Sequence, residues 1–172
     1  VEQLLQGHKF IAEHLPKELR RLVRKSTLAL GEAIREAEGE KFYHKIENYR
    51  EEIKRANFTK DKQLLEKQMS KLSEESSADR IKIAHAFSLQ LELVNISESA
   101  YRTWRQRFKT PPQSYKEKAE LTFSLSSHPT EARSLAVVEI QDTIKKQLIE
   151  GIQSGFTFND LELASHFRIL WR

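Results

Sequence analysis

One histidine lies where catalytic groups are often found. Residues 121–126, LTFSLS, alternate large apolar side chains with small hydroxyl side chains, and this period of two predicts a β-strand. The strand leads directly into His128 and Pro129, and then into a predicted helix. In α/β architectures functional groups collect at the C-terminal ends of strands, because the helix that follows offers free N–H groups there. The segment therefore predicts an imidazole that is presented to a ligand at a strand end.

The neighbours of His128 suit proton transfer or anion binding. Pro129 favours an extended conformation in the residue before it, Thr130 can cap the following helix, and Glu131 suits the positive end of that helix. A neutral imidazole near pH 7 can accept or donate a proton, and a protonated one can stabilise an anion. A structural role stays open beside the catalytic one, because a loop histidine next to a proline is more often structural.

Other catalytic and metal-binding patterns do not occur in the sequence. There is no HExxH zinc motif and no GxSxG nucleophile elbow, and the glycines are too scattered to form a phosphate loop. The chain has no cysteine, which excludes disulfides, thiolate metal sites and a cysteine nucleophile. The histidines do not cluster at ligand spacing, so we predict no metal ligands among these residues.

A carboxylate interrupts the longest apolar stripe of the sequence. Residues 79 to about 109 predict one long helix, because apolar residues recur at steps of three or four. The stripe that we expect to be covered comprises Ala84, Phe87, Leu91, Val94, Glu98, Tyr101, Trp104 and Phe108. A carboxylate on an apolar face is costly unless it is paired, and Arg102 lies four residues after Glu98. Glu98 is therefore either part of a polar site or half of a structural ion pair.

The elements that position these residues are predicted to be mainly helices. A first short helix is expected at residues 1–14, and Gly39 is expected to break a later one. The prolines of TPPQS, residues 110–114, end the long helix, and the strand follows. We therefore divide the chain into an N-terminal helical region, residues 1–114, and a second region, residues 115–172, with the strand, the histidine loop and the following helices.

Three observations suggest that the chain is a fragment of a longer protein. It begins with Val and not with Met, and it stops at FRILWR, inside an apolar periodic pattern. Its one convincing strand needs sheet partners to satisfy its backbone, and these must lie outside the chain.

These motifs resemble the N-terminal portion of a phosphoenolpyruvate carboxylase, as a somewhat divergent bacterial-type member. That family carries a strand that ends in T-A-H-P-T-E, and this chain has SSHPTE at 126–131. Upstream the family has a long helix of the form A-F-x-x-x-F-x-L-x-N-x-A-E-x-x-x-R. The matching residues here are Ala86, Phe87, Leu91, Leu93, Asn95, Glu98 and Arg102. The resemblance covers roughly residues 29–172. It rests on both motifs at similar spacing, because HPTE alone is a weak signal.

The resemblance implies a fold and a reaction. These enzymes are largely helical around a (β/α)₈ barrel, whose first β/α unit would lie in this chain, and they usually form tetramers. They use Mg²⁺ or Mn²⁺ to convert phosphoenolpyruvate and bicarbonate into oxaloacetate and phosphate, through carboxyphosphate and an enolate. The family histidine that matches His128 helps to deprotonate or position carboxyphosphate. The metal ligands lie later in the family sequence, so we expect no metal bound by these residues and no activity from this piece alone.

Several residues near the histidine depart from the family pattern. The family's Thr-Ala before the histidine is replaced by Ser126 and Ser127. Its arginine pair, six and seven residues after the histidine, falls on Ser134 and Leu135. Arg133 lies one position early and is the candidate substrate-binding residue. These replacements predict a difference in phosphate handling or regulation.

The charge pattern and the apolar pattern limit the kinds of partner that we expect. The net charge is +4, and its basic excess concentrates in residues 17–25, KELRRLVRK. This run is either a surface for nucleic acid or another polyanion, or the solvated face of an amphipathic helix, which its apolar residues favour. Because the amphipathic interpretation is favoured, we expect no nucleic-acid partner. No transmembrane-length apolar run and no secretory leader occur, so we expect no membrane partner, and the absence of cysteine fits a cytoplasmic location. The alternative function is a helical protein-interaction module without catalysis.

Overall fold

The structure is an arrangement of helices around one apolar core. The computed structural model describes residues 15–109 and 134–172, and within these ranges it contains helices and no strand. The helices are α1 Lys17–Glu38, α2 Glu40–Thr59, α3 Lys62–Glu74, α4 Ser77–Trp104, α5 Leu135–Gln153 and α6 Asp160–Trp171. A π-helical turn, Arg105–Lys109, continues α4. The predicted mainly helical fold is thus confirmed for the described residues.

Short polar residues and one glycine set the helix boundaries. Gly39 has a φ of 85° and ends α1, a conformation that glycine adopts at least cost, so the predicted break there is confirmed. Asp61, Ser76 and Asn159 precede α3, α4 and α6. The side chain of each accepts a hydrogen bond from the backbone N–H three residues later, which satisfies a donor that the first helical turn leaves free.

The long helix α4 is the centre of the fold, and it packs against α1, α5 and α6. Its predicted covered face is confirmed at Tyr101, which is buried, but it is wrong at Leu91, which is 67% exposed, and at Phe108, which is 57% exposed. The buried side chains of α4 are Ile83, Ala86, Leu89, Leu93, Ser97, Ala100 and Tyr101. Three of them, Ala86, Ser97 and Ala100, are small, so a search for large apolar residues does not find this face.

Helices α2 and α3 form a hairpin beside α1. A lysine ties this hairpin to the start of α4. The Lys45 ammonium on α2 donates to Glu75 at 2.6 Å and to Asp79 at 2.8 Å. The Tyr49 hydroxyl also donates to Glu75, at 3.2 Å. One polar cluster therefore joins α2, the α3–α4 connection and the first turn of α4.

The core includes residues from both regions that the sequence predicted. Leu22 of α1 and Leu93 of α4 belong to the same buried cluster as Leu148 of α5 and Phe167 of α6. The regions on either side of the proposed division therefore pack against each other. No helix within the described ranges combines the length and the apolar character that crossing a bilayer requires.

Two predicted elements lie outside the described residues. They are the helix at 1–14 and the strand at 121–126. The first β/α unit of a barrel therefore stays a prediction.

Candidate functional site

The predicted catalytic segment falls between two described helices. His128 and the candidate substrate-binding residue Arg133 lie outside the described residues. Before this segment, α4 ends in the π-helical turn Arg105–Lys109. After it, α5 begins behind Ser134. The roles of His128 and Arg133 therefore stay predictions, whereas the structure describes the helices that come before and after the segment.

Ser134, which stands where the family has an arginine, begins α5. Its hydroxyl accepts a hydrogen bond from the backbone N–H of Val137 at 3.4 Å. Serine is among the best residues at this position, and an arginine side chain has no acceptor with which to replace it. The next residue, Leu135, is exposed. The replacement of the family arginine therefore coincides with a helix cap in this chain.

Glu98 and Arg102 form an ion pair on α4. The Arg102 guanidinium donates to Glu98 at 2.5 Å. The side chains are 45% and 70% exposed for Glu98 and Arg102. Glu98 is thus at the edge of the core and not within a covered apolar face. A pair with this exposure contributes about 0.3–0.5 kcal/mol to helix stability.

Glu98 also lines a groove between α1, α2 and α4, which we call the cationic groove. Its volume is about 860 Å³. Cationic side chains line it from two helices, Arg20 and Arg24 from α1 and Lys54 from α2. The other lining residues are Leu15, Leu19, Val23 and Val94. The sequence did not indicate this groove, because its residues come from three helices whose relative placement no local pattern specifies.

Positive charge predominates in the cationic groove. Neither Arg20 nor Arg24 has an ion-pair partner within residues 15–109 and 134–172. Partial desolvation and the nearby charge of Arg50 lower the pKa of Lys54, and Glu51 and Glu47 oppose this effect. The arrangement can hold an anion against an apolar surface.

A second groove lies between α4 and α5. Its volume is about 330 Å³, and Asn95 and Ser99 of α4 line it together with Val138 of α5. Across it the Gln141 amide donates to Glu92 at 2.7 Å. The lining is mixed in polarity, and Asn95 is one of the residues that carry the family resemblance.

The basic run at residues 17–25 makes contacts within the fold. The Arg21 guanidinium stacks 3.8 Å from the centre of the Phe156 ring. The Lys25 ammonium lies 2.5 Å from Asp160. Leu22, on the opposite face, is fully buried. The run is thus one face of an amphipathic helix, and part of its charge holds the α5–α6 connection.

The described residues do not form a site for the divalent metal that the resemblance implies. Within residues 15–109 and 134–172 no three Asp, Glu or His side chains are grouped as metal ligands are. No chemical step is therefore assigned to a metal here. That residues later in the family sequence hold the Mg²⁺ or Mn²⁺ stays a prediction.

The described part of the chain is a helical region, and its central helix α4 precedes the histidine-bearing segment along the sequence. The sequence model of the phosphoenolpyruvate carboxylase family matches residues 19–152. This range is more than half of the chain, and His128 is within it. The chain belongs to the phosphoenolpyruvate carboxylase family. The comparisons with curated proteins and with solved structures gave no match.

Proposed function

We propose that this chain is part of a phosphoenolpyruvate carboxylase that makes oxaloacetate and phosphate from phosphoenolpyruvate and bicarbonate. The observation that carries the proposal is the family match over residues 19–152. The match includes the positions of the HPTE segment, which begins at His128. The long helix α4, with Glu98 and Arg102, precedes that segment as the corresponding helix does in the family.

The proposed reaction has two stages. A bicarbonate oxygen attacks the phosphorus of phosphoenolpyruvate, and the bond from phosphorus to the enol oxygen breaks, which gives carboxyphosphate and an enolate. Carboxyphosphate then loses CO₂ and becomes inorganic phosphate, and the enolate carbon attacks the CO₂ to form oxaloacetate. The attacking bicarbonate oxygen stays on phosphorus throughout.

His128 has a defined task in this sequence of steps. An imidazole can take the proton of the carboxyphosphate carboxyl group, or hold that group by a hydrogen bond while CO₂ leaves. Arg133 is proposed to bind an anionic group of the substrate, because a guanidinium offers paired donors to phosphate or carboxylate oxygens. The metal, Mg²⁺ or Mn²⁺, would stabilise the enolate and would be held by residues outside this chain. The active protein is proposed to be a homo-oligomer, a tetramer in the family, in the cytoplasm.

Oxygen tracing tests the proposed reaction. The protein that contains this chain together with the rest of the enzyme is supplied with phosphoenolpyruvate, Mg²⁺ and ¹⁸O-bicarbonate, and the released phosphate is analysed by mass spectrometry. We expect one labelled oxygen per phosphate and the formation of oxaloacetate. Oxaloacetate with unlabelled phosphate would exclude attack by bicarbonate on phosphorus, and the absence of oxaloacetate would contradict the function itself. The 172-residue chain alone is expected to form none.

A further inference from the structure

We propose that the cationic groove binds a small amphiphilic anion, namely a medium-chain carboxylate or a molecule of the same chemistry with one anionic head and an apolar body. The inference does not depend on the proposed carboxylase activity. It rests on three features of the groove: its size, its apolar lining and its unbalanced positive charge.

The size and the lining of the groove suit the apolar body of such a ligand. A volume of about 860 Å³ is within the range of small-molecule sites in proteins, about 300–1,000 Å³. Leu15 is 44% exposed, so apolar surface is available to a ligand and not already covered. Leu19, Val23 and Val94 continue that surface across α1 and α4. Burying a methylene group there would contribute about 0.8 kcal/mol.

The charges around the groove suit the anionic head. Arg20 and Arg24 are four residues apart, so they project from successive turns of one face of α1. Lys54 lines the same groove from α2. Among the described residues that line it, the one carboxylate is Glu98, and Arg102 already pairs with that carboxylate. The groove therefore holds an excess of positive charge that an anion would balance.

The lowered pKa of Lys54 shows mainly that its ammonium group is partly withdrawn from water. Its pKa is lowered by partial desolvation and by the positive charge of Arg50, although Glu51 and Glu47 act in the opposite direction. A bound anion beside the Lys54 ammonium would favour its charged form. In this groove Arg20, Arg24 and Lys54 supply the positive charge, and a bound anion would supply the negative charge.

Matched amphiphiles provide the direct test on the 172-residue chain. Binding of decanoate, decanol and decyltrimethylammonium is measured by titration calorimetry, each below the concentration at which it forms micelles. These probes share an apolar chain and differ in the charge of the head. We expect one decanoate per chain, bound at least tenfold more tightly than the other two probes. Equal binding of all three, or no binding of decanoate, would overturn the proposal.

Variants locate the site. Arg20→Glu combined with Lys54→Glu is expected to weaken decanoate binding at least tenfold, and Leu15→Ser is expected to weaken it severalfold. Lys62→Glu, on α3 and outside the groove lining, reverses an exposed charge and is expected to leave binding unchanged; circular dichroism confirms that each variant is folded. Equal losses in all variants would indicate nonspecific charge attraction and would overturn the assignment. If decanoate binds only after residues 1–14 are deleted, that segment takes the groove, and the ligand proposal is wrong.

Discussion

The hydroxyl oxygens of Ser26 on α1 and Ser97 on α4 lie 3.1 Å apart inside the apolar core. Ser97 donates its one hydroxyl proton to the backbone carbonyl of Leu93 at 2.7 Å, so Ser26 is the donor between the two serines. Both side chains are almost fully buried. This bond therefore joins α1, from within the core, to the helix that precedes the histidine segment along the chain.

The two serines are expected to contribute unequally to stability. Ser97→Ala leaves the Ser26 hydroxyl buried without its acceptor, which should lower the free energy of unfolding by about 1–3 kcal/mol. Ser26→Ala should cost less, because Ser97 keeps its bond to Leu93. Urea denaturation of both single variants and the double variant measures this, with the exposed Ser88→Ala on α4 as control. Fully additive losses would show that the two hydroxyl groups are not coupled.

Gly151 should be intolerant of any side chain. A Cβ atom at this position would lie 2.1 Å from Cε1 of Phe158, so the ring would have to move. We expect Gly151→Ala to lower the free energy of unfolding by about 1–3 kcal/mol, as overpacking does. Thermal unfolding measures the change. The double variant Gly151→Ala with Phe158→Leu should recover part of it relative to Phe158→Leu alone, and a stabilised Gly151→Ala would contradict this packing.

The Lys45 cluster predicts a loss of stability at high pH. Hydrogen bonds to Asp79 and Glu75 raise the pKa of Lys45 above its ordinary value of 10.5. When folding raises the pKa of a lysine, the resulting stability is fully present below the pKa of the unfolded state. It is lost as the pH rises through the higher pKa of the folded state. Burial also raises the pKa of Tyr49, and this too makes the fold less stable at high pH. The contribution of Lys45 is therefore isolated by comparing the wild type with a variant that lacks it.

The comparison variant is Lys45→Met. We expect the wild type to be more stable by up to about 1 kcal/mol at pH 8, and this difference to shrink above pH 10.5. Urea denaturation at several pH values measures the difference. A difference that stays constant from pH 8 to well above the ordinary lysine value would show that Lys45 acts through packing and not through its charge.

Arg133 is expected to affect substrate binding more than turnover. In the protein with the rest of the enzyme, Arg133→Gln should raise the KM for phosphoenolpyruvate about tenfold, which corresponds to about 1.4 kcal/mol, with little change in kcat. Steady-state kinetics measures both constants, with Arg107→Gln as an exposed control on the π-helical turn. A lower kcat at unchanged KM would instead assign Arg133 to the transition state.

The sequence indicated the helices but not the face on which α4 is buried. Regular spacing of apolar residues and the conformational freedom of Gly39 are local properties, so they can be recognised along the chain. The buried positions Ala86, Ser97 and Ala100 are small, and their burial depends on how closely α1 approaches. The packing distance between two helices depends on both of them, so the sequence of one helix does not reveal it.

The candidate sites divide in the same way. His128 was found from its neighbours and from a family motif, both of which are properties of the sequence. The cationic groove joins Leu15, Lys54 and Val94, which are far apart along the chain and come together only through packing. The stacking of Arg21 on Phe156 likewise depends on the fold, although the basic run itself was evident.

The measurement that tests the central claim most directly is oxaloacetate formation by the His128→Asn variant of the protein with the rest of the enzyme. Oxaloacetate is followed through the oxidation of NADH by malate dehydrogenase, with phosphoenolpyruvate, bicarbonate and Mg²⁺ supplied, and His44→Asn serves as the control at an exposed histidine. We expect the control to retain wild-type activity and His128→Asn to lose at least a hundredfold in kcat, as the loss of a general base does. Wild-type activity in His128→Asn would remove this histidine from the mechanism.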